Sequence, residues 1–317
     1  MKESESFKES GAVSVLVFGS LNLDIVFNCT RAPLPGETVL CNTYRTNPGG
    51  KGLNQAVAAR RAGSSVAMVG AVGDDANGTT LLDFLAAELV DTGHIARASE
   101  PTGVAHIIVD EVGENSIVVA AGANRSTERW SGSPPGHKIA LAQLEVEIRA
   151  VAGYFTDCRR RGMTCILNAA PAVPGARMLF PLCDVIVVNE HELAAFAATE
   201  FDPADEEAIR GACAAIADLS EQTVVVTLGA RGTLVVDHHG STAIDAVRVR
   251  AVDTTGAGDC FCGVLADGMA RNMSIASAVR RANRAASIAV QRPGAAQAMP
   301  TFHEINAASA TSAPAGG

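Results

Sequence analysis

Two aspartates flank a short turn of small residues in the segment VDTTGAGDCFCG, residues 252–263, and acids paired with glycines in this way can do chemistry. Glycines let backbone N–H groups point outward, and a helix N-terminus carries about half a positive charge, so Gly256, Ala257 and Gly258 predict an anion site. Asp259, beside that site, would accept the proton of an acceptor hydroxyl while the N–H groups hold a transferring phosphoryl group. An aspartate that only stabilises the helix dipole has the same pattern, so the motif leaves both interpretations open.

A second glycine-rich turn precedes an amphipathic helix in NPGGKGLNQAVAARRAG and contains Gly50, Lys51 and Asn54. The turn is not a Walker phosphate loop, because Arg45 stands where its first glycine is required and Gly52 stands where Ser or Thr must follow the lysine. We interpret it as a site at which backbone groups, Lys51 and the amide of Asn54 approach a neutral polyol closely. A glycine-rich helix entry that serves only as chain punctuation is the alternative.

Polar and apolar side chains alternate at the end of the first strand, in GSLNLDIVF. Because side chains two residues apart share one face of a strand, Asn22 and Asp24 lie together. An amide and a carboxylate on one face suit a vicinal diol, since a carboxylate accepts two hydroxyl hydrogens; a solvated strand edge would have the same pattern. Glu145 ends the run IALAQLE, at the strand end where open α/β sheets bind ligands.

Two turns that follow apolar strands add further polar candidates. In VVNEHE, Asn189 and Glu192 are three residues apart, so one helical turn brings them to the same face, where they could order a metal-bound water near phosphates. In TLGARGT, residues 227–232 resemble a nucleotide-phosphate turn, although a G-x-x-G spacing has little specificity by itself.

The segments that position these residues alternate between two patterns. Near-continuous apolar runs are typical of parallel strands covered on both faces, and the segments between them have helical periodicity. This alternation predicts an α/β fold: a doubly wound, mainly parallel sheet flanked by helices. The predicted strands are 14–18, 66–72, 139–145, 164–168, 183–189 and 223–229. The predicted helices are 52–63, 78–90, 146–161, 206–219, 258–272 and 274–291.

Two stretches of short β-like pieces with turn residues interrupt the alternation, at approximately 22–47 and 102–122. We predict that they form a small sheet that stands off the main one as a lid over the ligand site. The domain organisation expected is a single domain over 12–305, with disordered tails at 1–11 and 306–317.

Composition restricts the class of protein. The 317 residues are 48 % apolar, which is enough for a sizeable core, and 25 basic against 34 acidic residues give a net charge of −9. A field of that sign repels nucleic acid and anionic lipid, so an anionic substrate must be held by local groups. No apolar run approaches about 18 residues, so we expect a cytoplasmic protein. The eight cysteines have no C-x-x-C pair, which predicts buried free thiols and no structural zinc.

In this order, the motifs resemble the ribokinase/PfkB family of carbohydrate kinases, from about residue 12 to residue 304. The resemblance rests on the joint occurrence of GSLNLD, NPGGKGLNQAVAA, VGDD, TGVAHIIVDEVGEN, AAGAN, QLE, LNAAPA, NEHE, TLGARG, VDTTGAGDCFCG and IAVQRPGAAQAMP. It implies transfer of the γ-phosphoryl group of ATP to the 5-hydroxyl of D-ribose, giving D-ribose 5-phosphate and ADP, and a homodimer joined through the lids.

The resemblance also implies a role for each matching residue. Asp259 would be the general base, with an anion hole formed at Gly256, Ala257, Gly258 and Asp259. The ribose hydroxyls would be bound by Asn22, Asp24, Gly50, Lys51, Asn54 and Glu145, together with Asp259. The nucleotide would be lined by Asn189, Thr227, Leu228, Gly229, Ala230, Arg231, Gly232, Gly258 and Asn283, with Glu192 placing Mg²⁺ through water.

Members of the family also use a monovalent cation, usually K⁺, close to the anion hole. The ligands implied here, mostly through backbone oxygens, are Asp253, Thr255, Ala289, Arg292, Gly294 and Ala298. A cation is reasonable there, because phosphoryl transfer develops negative charge and this acidic chain has few fixed cations to meet it. The chain departs from the family pattern at Asn283, where bacterial members carry histidine, and at Ala298, where serine is common.

Other functions are compatible with parts of the pattern. A kinase of the same fold for another small sugar or a nucleoside, such as 2-deoxyribose, is the first alternative, although 4 % aromatic residues disfavour a bulky base. A sugar-binding protein without activity would be expected to have lost Asp259 or its glycines. A dinucleotide oxidoreductase is excluded because GSLNLD, and not G-x-G-x-x-G, follows the first strand.

Overall fold

The near-continuous apolar runs form the strands of a nine-stranded sheet in the computed structural model, which describes residues 14–41, 43–111, 115–127 and 136–310. Strands are numbered in chain order. Those of the main sheet are β1 (Ser14–Phe18), β4 (Ser65–Gly73), β5 (Asp91–Ala98), β8 (Ile139–Ala142), β9 (Thr164–Asn168), β10 (Val185–Asn189), β11 (Thr223–Thr227), β12 (Thr233–Asp237) and β13 (Gly240–Ile244).

The order across this sheet is β13-β12-β11-β10-β9-β8-β1-β4-β5. All neighbours from β11 to β5 are parallel, whereas β12 and β13 are antiparallel additions at one edge. The prediction of a mainly parallel sheet is therefore confirmed. The strand predicted over 139–145 ends at Ala142, because the chain leaves the sheet there and carries the polar residues that follow towards the site.

Helices cover both faces of the sheet, as predicted for a doubly wound fold. Within β1, Val15 and Val17 pack into one core and Leu16 and Phe18 into the other. The first core is formed mainly with α1, α2, α6 and α7, and the second with α3, α4 and α5. The helices are α1 (Lys51–Arg61), α2 (Ala76–Ala87), α3 (Ile148–Arg160), α4 (Glu190–Ala197), α5 (Glu206–Ile216), α6 (Ala257–Ala270), α7 (Ile275–Ala289) and α8 (Phe302–Ala310).

The two stretches predicted as a lid supply a second, four-stranded sheet of order β3-β2-β6-β7. Asp24 pairs with Asn47 on one side and with Ala105 on the other, so these three residues share one face of the sheet. Val26 and Ile107 form a small apolar cluster on that face. The strands are β2 (Asn22–Asn28), β3 (Thr43–Gly49), β6 (Gly103–Val109) and β7 (Asn115–Ala120).

The last helix departs from the predicted C-terminal tail. Helix α8 continues to Ala310, so residues 306–310 of the tail predicted as disordered are helical. The helix is anchored by the buried Ile305, and Thr301 donates to the carboxylate of Glu304 in its first turn. The rest of that tail, and the N-terminal tail predicted over 1–11, lie outside the described residues.

Six of the eight predicted buried thiols lie in the two large cores, and Cys29 is buried in the lid loop, whereas Cys41 is exposed. The expectation of buried thiols is therefore wrong for Cys41, which lies in the loop between β2 and β3. Within the described ranges, no helix combines the length and apolar character that crossing a bilayer requires.

Candidate active site

The carboxyl ends of the parallel strands and the N-termini of α1, α4 and α6 surround a cavity of about 220 Å³. A cleft of about 390 Å³ lies under the inner face of the lid and contains Asp24, Arg45 and Asn47. The location of these two openings agrees with the general rule that open α/β sheets bind ligands at the carboxyl ends of their strands. The cavity is lined by Lys51, Asn168, Ala170, Val187, Val188, Asn189, Glu192, Thr227, Thr254, Gly256, Ala257, Gly258, Asp259 and Cys262.

Asp259 lies in the first turn of α6 with only 6 % of its surface exposed. Its Oδ2 accepts a hydrogen bond from Asn54 Nδ2 at 2.9 Å, and its Oδ1 accepts one from Gln55 Nε2 at 2.9 Å. Burial raises the pKa of Asp259, while the charge of Lys51 and the two amide donors act in the opposite direction. An aspartate that served only the helix dipole would not need two buried amide donors from another helix.

The turn before α6 exposes backbone donors to the cavity. Gly256 has φ of 74°, a left-handed conformation that glycine adopts without strain. Among the described residues, the N–H groups of Gly258 and Asp259 have no hydrogen-bond partner, as expected for the first turn of a helix. The N–H of Ala257, in contrast, donates to the carbonyl of Thr254 at 3.2 Å.

The glycines before and at the start of α1 allow the backbone of this turn to pack closely against neighbouring segments of the chain. Gly50 has φ of 91°, and a Cβ there would lie 2.8 Å from the carbonyl oxygen of Ser20. A Cβ on Gly49 would overlap the carboxylate of Asp24, and one on Gly52 would lie 2.6 Å from a backbone carbon of Gly19. These turn glycines therefore bring α1 against the end of β1 and against a candidate ligand residue.

Glu145 meets the N-terminus of α1. Its Oε2 accepts from Ser20 Oγ at 2.5 Å and from the backbone N–H of Lys51 at 3.1 Å, so a carboxylate occupies the positive end of the helix. The side chain of Lys51 lines the cavity, and the charge of Asp259 raises its pKa against the effect of burial. The predicted residues Lys51, Asn54, Glu145 and Asp259 thus form one cluster.

Asn22 and Asp24 lie on the lid strand that enters this cluster. Asn22 is 3 % exposed, and its Oδ1 accepts from Asn124 Nδ2 at 2.8 Å. Burial, followed by the charges of Glu145 and Asp259, raises the pKa of Asp24 to about 7. The alternative of a solvated strand edge is therefore wrong, because both residues face the protein interior or the lid cleft.

Asn189 and Glu192 form a reciprocal cap at the start of α4. Glu192 Oε2 accepts from the N–H of Asn189 at 2.9 Å, and Asn189 Oδ1 accepts from the N–H of Glu192 at 2.8 Å. Both side chains line the cavity, as their spacing predicts. Burial raises the pKa of Glu192.

The other predicted nucleotide residues lie between β11 and α7. Thr227 lines the cavity, and Gly229–Arg231 form a short 3₁₀ turn closed by Gly232, which has φ of 95°. Arg231 lies away from the cavity, with its guanidinium 3.7 Å from Glu190. Asn283 accepts from Thr233 Oγ1 at 2.8 Å and donates to backbone carbonyls at the end of β13 at 3.3 Å, so its amide ties α7 to the sheet edge.

The residues predicted to hold a monovalent cation lie on two loops that Asp253 joins. Its Oδ1 accepts from the N–H of Thr255 and its Oδ2 from the N–H of Gly294, both at 2.9 Å. Ala289, at the end of α7, and Ala298, in the segment that follows this helix, are both buried. The side chain of Arg292 pairs with Glu304 of α8, so this residue has only its backbone oxygen for a cation. Across the described residues, no three His, Cys, Asp or Glu side chains cluster in a manner that could hold a metal.

Five polar residues of the site were not predicted: Ser20, Gln55, Asn124, Gln143 and Asn168. Their side-chain partners lie 88 to 204 residues away in the chain, so no local spacing signals these contacts. The motifs of the family resemblance are the signal that could have found them, because Ser20 lies in GSLNLD, Gln55 in NPGGKGLNQAVAA, Asn124 in AAGAN, Gln143 in QLE and Asn168 in LNAAPA.

Comparison with known proteins gives a consistent picture. The model of the pfkB family of carbohydrate kinases matches residues 13–302. A ribokinase of Haemophilus influenzae is 37 % identical over 92 % of this chain and 96 % of its own length. A deoxyribokinase of Salmonella typhimurium is 30 % identical over 93 % of this chain and 98 % of its own length. The solved structure of Arabidopsis thaliana ribokinase with ribose and ATP has a TM-score of 0.85 at 28 % identity, covering 93 % of this chain and 98 % of that one.

Proposed function

Because this chain belongs to the pfkB family of carbohydrate kinases, we propose that it is an ATP-dependent ribokinase, which phosphorylates D-ribose at O5 and releases D-ribose 5-phosphate and ADP. The observation that carries the proposal is the buried carboxylate of Asp259 beside the unpaired backbone donors of α6. The relative from Arabidopsis thaliana, whose structure contains ribose and ATP, supports this choice of substrates.

In this mechanism, Asp259 accepts the proton of the sugar 5-hydroxyl as that oxygen forms a bond to the γ-phosphorus. The bond between this phosphorus and the bridging oxygen of ATP breaks, and its electron pair leaves with ADP. The N–H groups of Gly258 and Asp259 donate to the oxygens on which charge develops. Ala257 joins them when its N–H exchanges the carbonyl of Thr254 for a phosphoryl oxygen.

The sugar lies between the lid and the N-terminus of α1. Asp24 and Glu145 provide carboxylate oxygens for pairs of hydroxyl groups, and Lys51 and Asn54 provide donors. Asn22 and Gly50 shape the floor of the site, because Asn22 is held by Asn124 after β7 and Gly50 packs against the backbone of Ser20 and Asn22. Closure of the lid over the sugar would exclude water, which otherwise competes as phosphoryl acceptor.

The nucleotide extends from the cavity towards β11. Asn189 and Thr227 face the phosphates, and the turn from Leu228 to Gly232, with Asn283 behind it, borders the base. Mg²⁺, bound together with ATP, would supply positive charge to the phosphates during transfer. Glu192 fits this ion through water, because one carboxylate oxygen caps the N–H of Asn189 and the other is available for an ordered water.

The two loops joined by Asp253 fit a monovalent cation such as K⁺. An ion held there by backbone oxygens would supply positive charge near the anion hole. The chain contributes the carbonyls near Thr255 and those of Ala289, Arg292, Gly294 and Ala298, while Asp253 holds the two loops at a common spacing.

A homodimer joined through the lids is part of the proposal. The edge strand β7 exposes Ile117, Val118 and Val119, and Val118 is 72 % exposed. An exposed apolar edge strand favours pairing with another chain, and a second copy offers the same edge. Sedimentation equilibrium of the chain and of Val118→Lys would test the contact, because the variant should dissociate.

The second candidate is a deoxyribokinase, which the 30 % identical relative from Salmonella typhimurium favours. The side chains of the cleft favour ribose over 2-deoxyribose, because Asp24, Glu145 and Asn54 form a dense set of hydrogen-bonding groups. A sugar that lacks one hydroxyl would leave a buried group unpaired, which costs about 1–3 kcal/mol.

The experiment is ATP turnover against ribose, 2-deoxyribose, hexoses and nucleosides, each with and without K⁺. We expect the highest kcat/KM for ribose and a higher rate with K⁺. A higher kcat/KM for 2-deoxyribose than for ribose would replace the first candidate with the second. If the chain phosphorylated none of these sugars and nucleosides, the kinase proposal would be overturned.

A further inference from the structure

A buried amide, that of Gln55 on α1, links the general base to two other strands of the site. The residue is 0 % exposed. Its Nε2 donates to Asp259 Oδ1 at 2.9 Å and to Asn168 Oδ1 at 3.0 Å, and its Oε1 accepts from Gln143 Nε2 at 2.7 Å. Both amide hydrogens and the amide oxygen are therefore engaged, which specifies one orientation of the amide.

We propose that Gln55 is a positioning residue that orients two groups of the reaction at once. This inference rests on the proposed function. It holds the carboxylate of Asp259 towards the acceptor hydroxyl, and it turns the amide of Asn168 so that Nδ2 faces the transferring phosphoryl group. Asn168 is then a further catalytic residue, which donates a hydrogen bond to that group.

The orientation of Asp259 depends on Gln55 because, within the part of the chain that the structure describes, the carboxylate has only two side-chain donors. Asn54 donates to one oxygen and Gln55 to the other, so rotation of the carboxylate would break a buried hydrogen bond. An N–H donor also stabilises the ionised form of the base, which burial disfavours. The charged or titratable groups around Asp259 are Lys51 on α1, Asp24 on β2, Glu145 after β8, Glu192 on α4, and Cys260 and Cys262 on α6.

The direction of the Asn168 amide follows from the same contact. Asn168 ends β9 and lines the cavity that contains Asp259 and Gly258. Its Oδ1 is occupied by Gln55, and its Nδ2 has no hydrogen bond to any residue that the structure describes. An amide whose oxygen is fixed behind it presents two N–H donors in front, and a phosphoryl oxygen is a matching acceptor.

Gln143 determines which way the amide of Gln55 points. If Gln55 rotated by half a turn, its oxygen would face the carboxylate of Asp259 and its N–H₂ would face the N–H₂ of Gln143. Gln143 is itself held by packing, because a Cβ at Gly19 would overlap its Oε1, which is buried without a hydrogen-bond partner among the described residues. The chain of amides thus runs from β8 through α1 to α6.

The first experiment compares Gln55→Met with Gln222→Met. Gln222 is a buried glutamine that likewise makes three hydrogen bonds, to the carbonyls of Phe180 and Cys183 and from the N–H of Asp218, but lies outside the site. We expect Gln55→Met to lower kcat by about 10- to 100-fold and to move the acidic limb of the kcat profile to higher pH by about one unit. Gln222→Met should lower thermal stability and leave the pH profile in place.

A fall in kcat without a shift of the pH profile, or equal effects in the two variants, would refute the positioning role. If Gln55→Met fails to fold, Gln143→Met tests the same role, because it keeps Gln55 and only frees the Gln55 amide to rotate. Gln143→Met should shift the pH profile in the same direction. An unshifted profile would contradict the positioning role. The acceptor is whichever sugar the unmodified chain phosphorylates best. Failure of the ribokinase proposal would therefore appear in the unmodified chain, and failure of this inference only in the variants.

The second experiment tests Asn168 by binding. Asn168→Asp retains an oxygen for Gln55 and replaces the N–H₂ donor with an acceptor. We expect the variant to bind ADP within about threefold of the unmodified chain, but to bind ADP with aluminium fluoride, which mimics a phosphoryl group in transfer, at least about tenfold more weakly. Equal changes in both affinities, measured by calorimetry with Mg²⁺ and sugar present, would refute a direct contact with the phosphoryl group.

Discussion

The carboxyl group of Asp24 is half-buried between the lid and the start of α1, with Glu145 and Asp259 as charged neighbours. Burial and these two negative charges raise its pKa to about 7 from 3.8. The folded protein therefore binds a proton at Asp24 over a pH range in which the unfolded chain has released it. This difference makes stability depend on pH in a direction that can be measured.

The magnitude follows from the two pKa values. Their difference is about three units, and one unit corresponds to about 1.4 kcal/mol, so the contribution to the free energy of unfolding changes by about 4 kcal/mol. The raised pKa favours the folded state below about pH 4, and this stabilisation is lost as the pH rises to about 7. Asp24→Asn removes the proton-binding group and should therefore become progressively more stable than the unmodified chain across that interval.

The assay is urea unfolding of both chains at half-unit steps from pH 4.5 to pH 8. The difference in unfolding free energy should grow with pH and become constant above about pH 7. Asp83→Asn, on the exposed surface of α2, is the matched control for removal of one negative charge. A difference that does not change with pH, or that decreases as the pH rises, would refute the reasoning from burial.

Three further predictions concern catalysis and its ions. Asp259→Asn should lower turnover by about 10²- to 10⁴-fold while ribose affinity, measured by calorimetry, changes little, because the base is lost and its size is kept; near-normal turnover would exclude the role of base. Glu192→Gln should raise the Mg²⁺ concentration needed for half-maximal rate, since an uncharged amide orders a metal-bound water less well; an unchanged Mg²⁺ titration would separate Glu192 from the metal. Ala298→Ser adds an oxygen to the loop joined by Asp253 and should lower the K⁺ concentration for half-maximal activation, and a K⁺ titration of the rate that does not move would place the ion elsewhere.

Much of the fold was predictable because its signals are local. The apolar runs that became β1, β4, β9, β10 and β11 are short, nearly continuous and separated by helical periodicity, which is typical of strands buried on both faces. Strands β5 and β13 were not predicted, since they are the edge strands of the sheet and mix polar with apolar residues; β12, TLVVD, was missed although it is mostly apolar and buried. Helix α8 was not predicted, because its buried anchor, Ile305, precedes an alanine-rich tail that has no periodic pattern.

The sequence by itself determined that the turn glycine Gly256, the backbone donor of Gly258 and the carboxylate of Asp259 meet at the start of α6, because these are properties of neighbouring residues. Only the tertiary structure decided how that base is held. Gln55 lies 204 residues from Asp259 and 113 from Asn168, and Gln143 lies 88 from Gln55. Hydrogen bonds between side chains so distant along the chain form only when several helices and strands have packed. The spacing of residues in the sequence therefore does not predict them.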